Sequence, residues 1–232
     1  MKLKIQIIIL LSCLCITLQA HKNNMVTDAD GNIYTTINIG NKEWLAENLK
    51  TTKYNDGISI PIVANDVEWK FLITPALCWF ENDSSNLEKY GCLYNWYAVN
   101  TGNLCPAGWH VATEKNWANL EMALGIDTID VQKNNWRGTN QGNMLKADTA
   151  LWLNGILGDS TSFAMSGFKA LPSGIRGING GFDGMGGYTG WWAAITDNLS
   201  FAIYRKITSY GDIFKGSEEK RAGYSVRCVK NE

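Results

Sequence analysis

The chain has 232 residues, 45% hydrophobic and 19% charged, with 21 Lys+Arg against 22 Asp+Glu. A near-neutral chain without a basic run is not built to hold polyanions, so nucleic acid is not an expected partner. Ten Trp and 23 Gly beside only four Pro point to one core under many tight turns, not to two domains on a Pro-rich linker.

Residues 1–20, MKLKIQIIILLSCLCITLQA, combine a basic start (Lys2, Lys4), an apolar run from Ile5 to Leu18 and the small residue Ala20. This is the layout of a secretory signal peptide cut after Ala20. The run is short for a spanning helix, which needs about 20 residues, and no later segment is longer, so no transmembrane helix is expected in the mature chain. The competing reading is a lipoprotein signal, with Cys13 in LLSC as the lipid acceptor. Leu11 and the brevity of the apolar stretch before Cys13 count against it. Loss of Lys2 and Lys4 leaves 19 Lys+Arg against 22 Asp+Glu, a net charge of −3.

Four cysteines remain after such a cut: Cys78, Cys92, Cys105 and Cys228. An even number in an exported chain points to disulfides, with three possible connectivities. Zinc would want closer pairs or histidines, and the only histidines are His21 and His110. No metal or other cofactor is expected.

In chain order, the first expected element is a hairpin. Asp28 to Asn32 is a turn cluster, IYTTINIG places Ile33, Thr35, Ile37 and Ile39 on one face, and GNK turns again. The spacing of Asp28, Asp30 and Asn32 is that of a calcium loop's opening. Ile39 stands where such a loop needs its closing glutamate, so a plain turn is the preferred reading. Residues 93–99 fit either a short helix or a strand. A helix follows Thr113, an expected N-cap, with Trp117, Leu120 and Leu124 at helical spacing and Gly125 as its stop.

Beyond residue 130 the chain is rich in Gly and Asn. FKALPSGIRG, WWAAITDN, SFAIYRKIT and GYSVRCVK are its β-prone runs. Early helices and a closing antiparallel meander make the fold class α+β. Read with period two, the last run sets Tyr224, Val226 and Cys228 on one face and Ser225, Arg227 and Val229 on the other.

No catalytic set emerges. His110 lies in PAGWHVAT without a nucleophile motif around it, and Glu81, Asp83, Asp127, Asp130 and Asp183 sit in turn-like stretches as solvated loop residues. GGFDGMGG lacks the lysine and the helix of a phosphate loop. The candidate ligand-binding residues are the aromatics Tyr188, Trp191, Trp192, Tyr204 and Tyr210, whose faces suit sugar or protein ligands. On a strand, adjacent Trp191 and Trp192 would point one in and one out, with Trp192 or its neighbour inward.

Several stretches together resemble one family. VTDADGNIYTTINIGNKEWLAENLKTTKYNDG, CWFENDSSNLEKYGCLYNWYAV, LCPAGWHVAT, SGFKALPSGIRG, WWAAITDN and GYSVRCVK are similar, in order over residues 25–230, to the Fibrobacter succinogenes major paralogous domain. The resemblance implies a C-type-lectin-like, loop-rich fold distantly like formylglycine-generating enzymes, an exported bacterial protein, and no defined activity. It implies that Cys228 pairs with Cys105 and stands without the second cysteine of a copper pair. This chain has Leu87 where the family leads us to expect a cysteine, so Cys78 and Cys92 either bridge a short loop or hold free thiols. The expected function is a non-enzymatic secreted, periplasmic or surface module that binds a glycan, a cell-wall polymer or a surface protein through its loop-rich face. An oxidase or hydrolase on a lectin-like scaffold, and a structural envelope or adhesion component, are the competing readings.

Overall fold

The computed structural model describes residues 25–153 and 161–232. The expected signal segment, with Cys13, lies outside the described residues. β1 (Met25–Thr27), β2 (Ile33–Ile39) and β3 (Lys42–Leu45) form the expected antiparallel start. Asp28 makes the turn. Its Oδ1 accepts from the backbone N–H of Asp30 (2.9 Å) and Asn32 (3.0 Å), and its Oδ2 from Asn32 Nδ2 (2.8 Å) and Tyr34 OH (2.5 Å).

Ile33, Thr35, Ile37 and Ile39 share one face of β2, as expected, but only its far end is covered. Ile33 is 63% exposed and Thr35 is exposed, while Tyr34 and Thr36 are buried and Ile37 and Ile39 turn inward. The reason is that two cores flank the strand: Tyr34 packs into one, Ile37 and Ile39 into the other.

The next elements are α1 (Asp66–Lys70), β4 (Leu77–Cys78), α2 (Asn86–Tyr90), β5 (Leu93–Tyr94) and α3 (Trp96–Val99). The stretch that fitted helix or strand is both in succession. Asn95 makes the switch, its Oδ1 accepting from the N–H of Ala98 (3.1 Å) as a helix cap.

β6 (Trp109–Val111) leads into α4 (Glu114–Ala123). Thr113 and Asn116 cap that helix reciprocally: Thr113 Oγ1 accepts from Asn116 N (3.2 Å) and Asn116 Oδ1 accepts from Thr113 N (2.9 Å). Trp117, Leu120 and Leu124 are buried, and Gly125 leaves the helix with φ +97°.

The chain closes with β7 (Asn135–Arg137), α5 (Gln141–Leu145), β8 (Ser173–Arg176), β9 (Phe182–Met185), β10 (Tyr188–Thr196), β11 (Phe201–Thr208), β12 (Ile213–Glu219) and β13 (Cys228–Lys230). β8, β10 and β11 fall in the β-prone runs, whereas β7, β9 and β12 were not expected. Of GYSVRCVK only the end is a regular strand. The rest crosses three different elements by single bridges, Arg176 to Gly223, Tyr94 to Tyr224 and Trp191 to Ser225.

One sheet has the order β1-β2-β3-β13-β6, a second the order β7-β12-β11-β10-β8-β9, and β4 pairs with β5. With short helices beside largely antiparallel sheets, the molecule is α+β, as expected. One core gathers α4 and both sheets around Trp44, Trp117, Phe168, Trp191 and Val229. The other holds Tyr34, Trp192, Tyr204, Tyr224, Val226 and Cys228.

β10 runs between the two cores, and this corrects the expectation for its tryptophans. Trp191 and Trp192 do point to opposite faces, but both are fully buried because both faces are covered. Each indole N–H is satisfied, Trp191 Nε1 donating to Asn48 Oδ1 (2.8 Å) and Trp192 Nε1 to the carbonyl of Tyr94 (2.9 Å).

Cys105 and Cys228 form a disulfide, with Cα atoms 6.0 Å apart. Cys78 and Cys92 are free and buried in this structure. Register explains this. Cys78 faces Leu93 across the β4–β5 pair, so Cys92, one residue before Leu93, points to the opposite side. Cys78 accordingly packs with Trp69 and Phe80, and Cys92 with Tyr34 and Tyr94.

The period-two reading of the terminus holds. Tyr224, Val226 and Cys228 share one core, while Arg227 on the other face is fully buried. Arg227 donates to Asn48 Oδ1 (2.9 Å) and to the carbonyls of Leu45 (3.0 Å) and Phe168 (2.8 Å), with its guanidinium 4.0 Å from the centre of the Phe168 ring. It ties two separate segments, residues 45–48 and Phe168, to the last strand.

Candidate functional site

The second sheet presents one face to α4. On the opposite face, register aligns Trp136 of β7 with Phe214 of β12, Phe214 with Lys206 of β11, and Lys206 with Gly190 of β10. Side chains on paired residues share a face, so this row crosses four strands.

A chain of aromatic rings runs along that face from core to solvent. Trp192 meets Tyr224 at 4.7 Å between ring centres, Tyr224 meets Tyr204 at 4.8 Å, Tyr204 meets Phe214 at 5.7 Å, and Phe214 meets Trp136 at 5.0 Å. Exposure rises along it, from 0% at Trp192 through 8% at Tyr204 to 44% at Trp136. The buried rings therefore act as a rigid floor and the last ones as a surface.

Glycines make room for two of the rings. A Cβ on Gly216 would come within 2.5 Å of the Phe214 ring, and a Cβ on Gly184 within 2.2 Å of the Tyr188 ring. Any side chain at either position would lift the ring that lies over it.

Lys206 stands amid these rings, its Nζ 5.2 Å from the ring centre of Tyr188, 5.3 Å from Phe214 and 5.6 Å from Trp136. Burial lowers its pKa from the ordinary lysine value, against the opposing pull of Asp183 and Glu218. Tyr188 OH donates to Asp183 Oδ2 (2.7 Å). Burial, together with that bond, raises the phenol's pKa, so Tyr188 is a neutral donor at physiological pH. Beside Asp183 opens a cleft of about 550 Å³ lined by Phe80, Glu81, Asp83, Tyr90 and Phe182.

The five aromatics singled out in the sequence divide. Tyr188 is half-buried on this face, Tyr204 lies in its floor, and Trp192 begins the ring chain inside the core. Trp191 points the other way and is fully buried, so in this structure it has no surface to offer a ligand. Tyr210 follows β11 in the loop to β12, 59% exposed, with its carbonyl accepting from Lys146 Nζ (2.7 Å).

Trp136, Phe214 and Lys206 were missed. The signal that could have found them is Phe214 two residues before Gly216, a strand pattern in which a ring folds over a glycine. Asp183, read as a solvated loop residue, lies on β9 beside Tyr188.

Other chemistry-bearing residues are absorbed by structure. His110 is held between Asn231 Oδ1 (2.7 Å) and Asn116 Oδ1 (3.0 Å), at the strand-to-helix junction where a structural histidine was expected. Asp30 accepts from Thr52 N (2.5 Å) and pairs with Lys53 (3.1 Å). Among the described residues no group of three or more His, Cys, Asp and Glu is arranged to hold a metal. No helix among them is long and apolar enough to cross a membrane.

Compared with known proteins, residues 37–230 match the family model described as the Fibrobacter succinogenes major domain. Neither a curated protein nor a solved structure matches the chain.

Proposed function

The chain belongs to the Fibrobacter succinogenes major domain family, and from that premise we propose that it is an exported, non-enzymatic module that binds a glycan through the aromatic face of its second sheet. The observation that carries this reading is the row of aromatic rings crossing the sheet and ending at Trp136, Phe214 and Tyr188. Sugar rings present axial C–H groups that stack on aromatic faces, and rings held on a sheet lose little conformational freedom on binding. Strands spaced about 4.8 Å apart make a four-strand row roughly 14 Å long, room for a short run of sugar units and not for one alone.

Export is supported by the layout of residues 1–20 and by the Cys105–Cys228 bridge, a bond that persists in oxidising compartments. A C-type-lectin-like relationship is part of the same reading. It is supported by a helix packed on sheets, a loop-rich second half and a disulfide fastening the final strand.

A glycan array probed with the mature domain tests the function. Binding to at least one glycan is expected, with Trp136→Ala and Tyr188→Ala each weakening it about tenfold, the loss of about 1.4 kcal/mol of stacking. An empty array, or binding indifferent to Trp136→Ala, would sink the proposal. Mass spectrometry of the mature N-terminus tests export, separating a cut after Ala20 from a lipid on Cys13.

A further inference from the structure

Resting on the glycan reading above, we infer that the aromatic face selects uncharged sugar chains over acidic ones, with Lys206 and Asp183 reading adjacent hydroxyls as a donor and acceptor pair. Lys206 supplies the donor. Its ammonium touches three ring faces, at 5.2, 5.3 and 5.6 Å, and among the described residues it has no hydrogen-bond acceptor and no carboxylate within ion-pair distance. It carries three N–H donors on a partly desolvated group whose stem is held by the surrounding rings. A donor so placed is prepared for an acceptor brought by a ligand.

Charge then decides which ligand. The fixed charges acting on Lys206 are two carboxylates, Asp183 and Glu218, against its own single positive charge. Asp183 is exposed, and among the described residues only one of its oxygens is engaged, by Tyr188 OH. A carboxylate or sulfate on the ligand would gain one ammonium and confront two carboxylates. A hydroxyl at Lys206 with another at Asp183 uses both groups and meets no like charge. Specificity here comes from the repulsive element as much as from the attractive one.

The test uses the intact mature domain and three polymer pairs matched in backbone: methyl-esterified polygalacturonate and polygalacturonate, mannan and polymannuronate, glucan and its carboxymethyl derivative. Affinity electrophoresis and calorimetry would read binding in low and high salt. The expected result is binding to the neutral member of at least one pair, about tenfold tighter than to its acidic partner and unchanged by salt. Lys206→Met should weaken the neutral polymer about tenfold while circular dichroism shows the same fold. The Asp183→Asn, Glu218→Gln double variant, with its fixed negative charge removed, should gain binding to the acidic partner.

Equal or tighter binding to the acidic member by the unaltered domain would overturn the selectivity and leave the glycan reading standing. Neutral binding that Lys206→Met leaves intact would overturn the role given to Lys206. Retention of none of the six polymers would overturn the glycan reading and this inference with it, and would leave the face to a protein partner.

Discussion

At the scale of single residues, several charges buried in this protein are tied to specific partners, and that makes them points of failure. Glu121 on α4 is buried, with its Oε2 accepting from Arg137 Nε (2.6 Å) and its Oε1 from Arg137 Nη2 (2.8 Å) and Arg205 Nε (2.7 Å). One carboxylate thus compensates two buried guanidinium groups on the inner face of the second sheet. Glu121→Gln removes the charge but keeps the volume, leaving Arg137 without its carboxylate while Arg205 keeps Glu114 (2.8 Å). A loss of about 3–5 kcal/mol in urea unfolding is expected, and a loss under ~1 kcal/mol would refute the account.

Lys146 gives a pH signature. Its Nζ is buried and donates to Asn143 Oδ1 (2.6 Å) and the carbonyl of Tyr210 (2.7 Å), 4.9 Å from the ring centre of Trp152. Burial lowers its pKa from 10.5 to about 7, with Asp212 opposing weakly. Between those values the unfolded chain holds a proton that the folded chain has released, so this group's contribution to stability rises with pH across the window and is constant below it. Unfolding midpoints measured from neutral to alkaline pH should carry this rise, and Lys146→Met should remove it.

At the scale of elements, alternation along strands explains more than propensity does. Cys78 and Cys92 lie one register step apart in a paired ribbon, yet register parity sends Cys78 into a cluster with Trp69 and Phe80 and Cys92 into the core with Tyr34 and Tyr94. Burial pushes the Cys78 thiol up to about 12 and raises Cys92 as well. Neither should be alkylated in the native protein at pH 8, and both should react once it is unfolded. Fast native labelling of either would contradict the burial. Alternation also governs β10, where the step from Trp191 to Trp192 carries the chain from one core to the other.

Across the whole molecule, the last strand is the closure. β13 lies between β3 and β6, Arg227 just before it holds carbonyls from two other segments, and Cys228 is bonded to Cys105 across 123 residues of sequence. Cross-linking a loop of that length restricts the unfolded chain by up to about 4–5 kcal/mol. The double variant Cys105→Ser, Cys228→Ser should therefore lose several kcal/mol in denaturant unfolding, and non-reducing peptide mapping should recover the bridge quantitatively. A cysteine five residues from the terminus serves as a fastener in this fold.

What the sequence determined by itself was local. Thr113, Trp117, Leu120, Leu124 and Gly125 define α4 because caps and helical period are written within one turn of each other. Asp28 to Asn32 define a turn because a short carboxylate can bond the backbone two and four residues on. The two faces of residues 224–229 were legible for the same reason, since period two needs no partner to be read. Tertiary structure decided what covers each face. Trp191 and Trp192 alternate as a strand requires, but only the packing of two sheets buries both. Trp136, Phe214, Lys206 and Tyr188 lie up to 78 residues apart in the chain and become one surface only through the register of four strands. That register is set by pairing between distant segments, which no window of sequence contains.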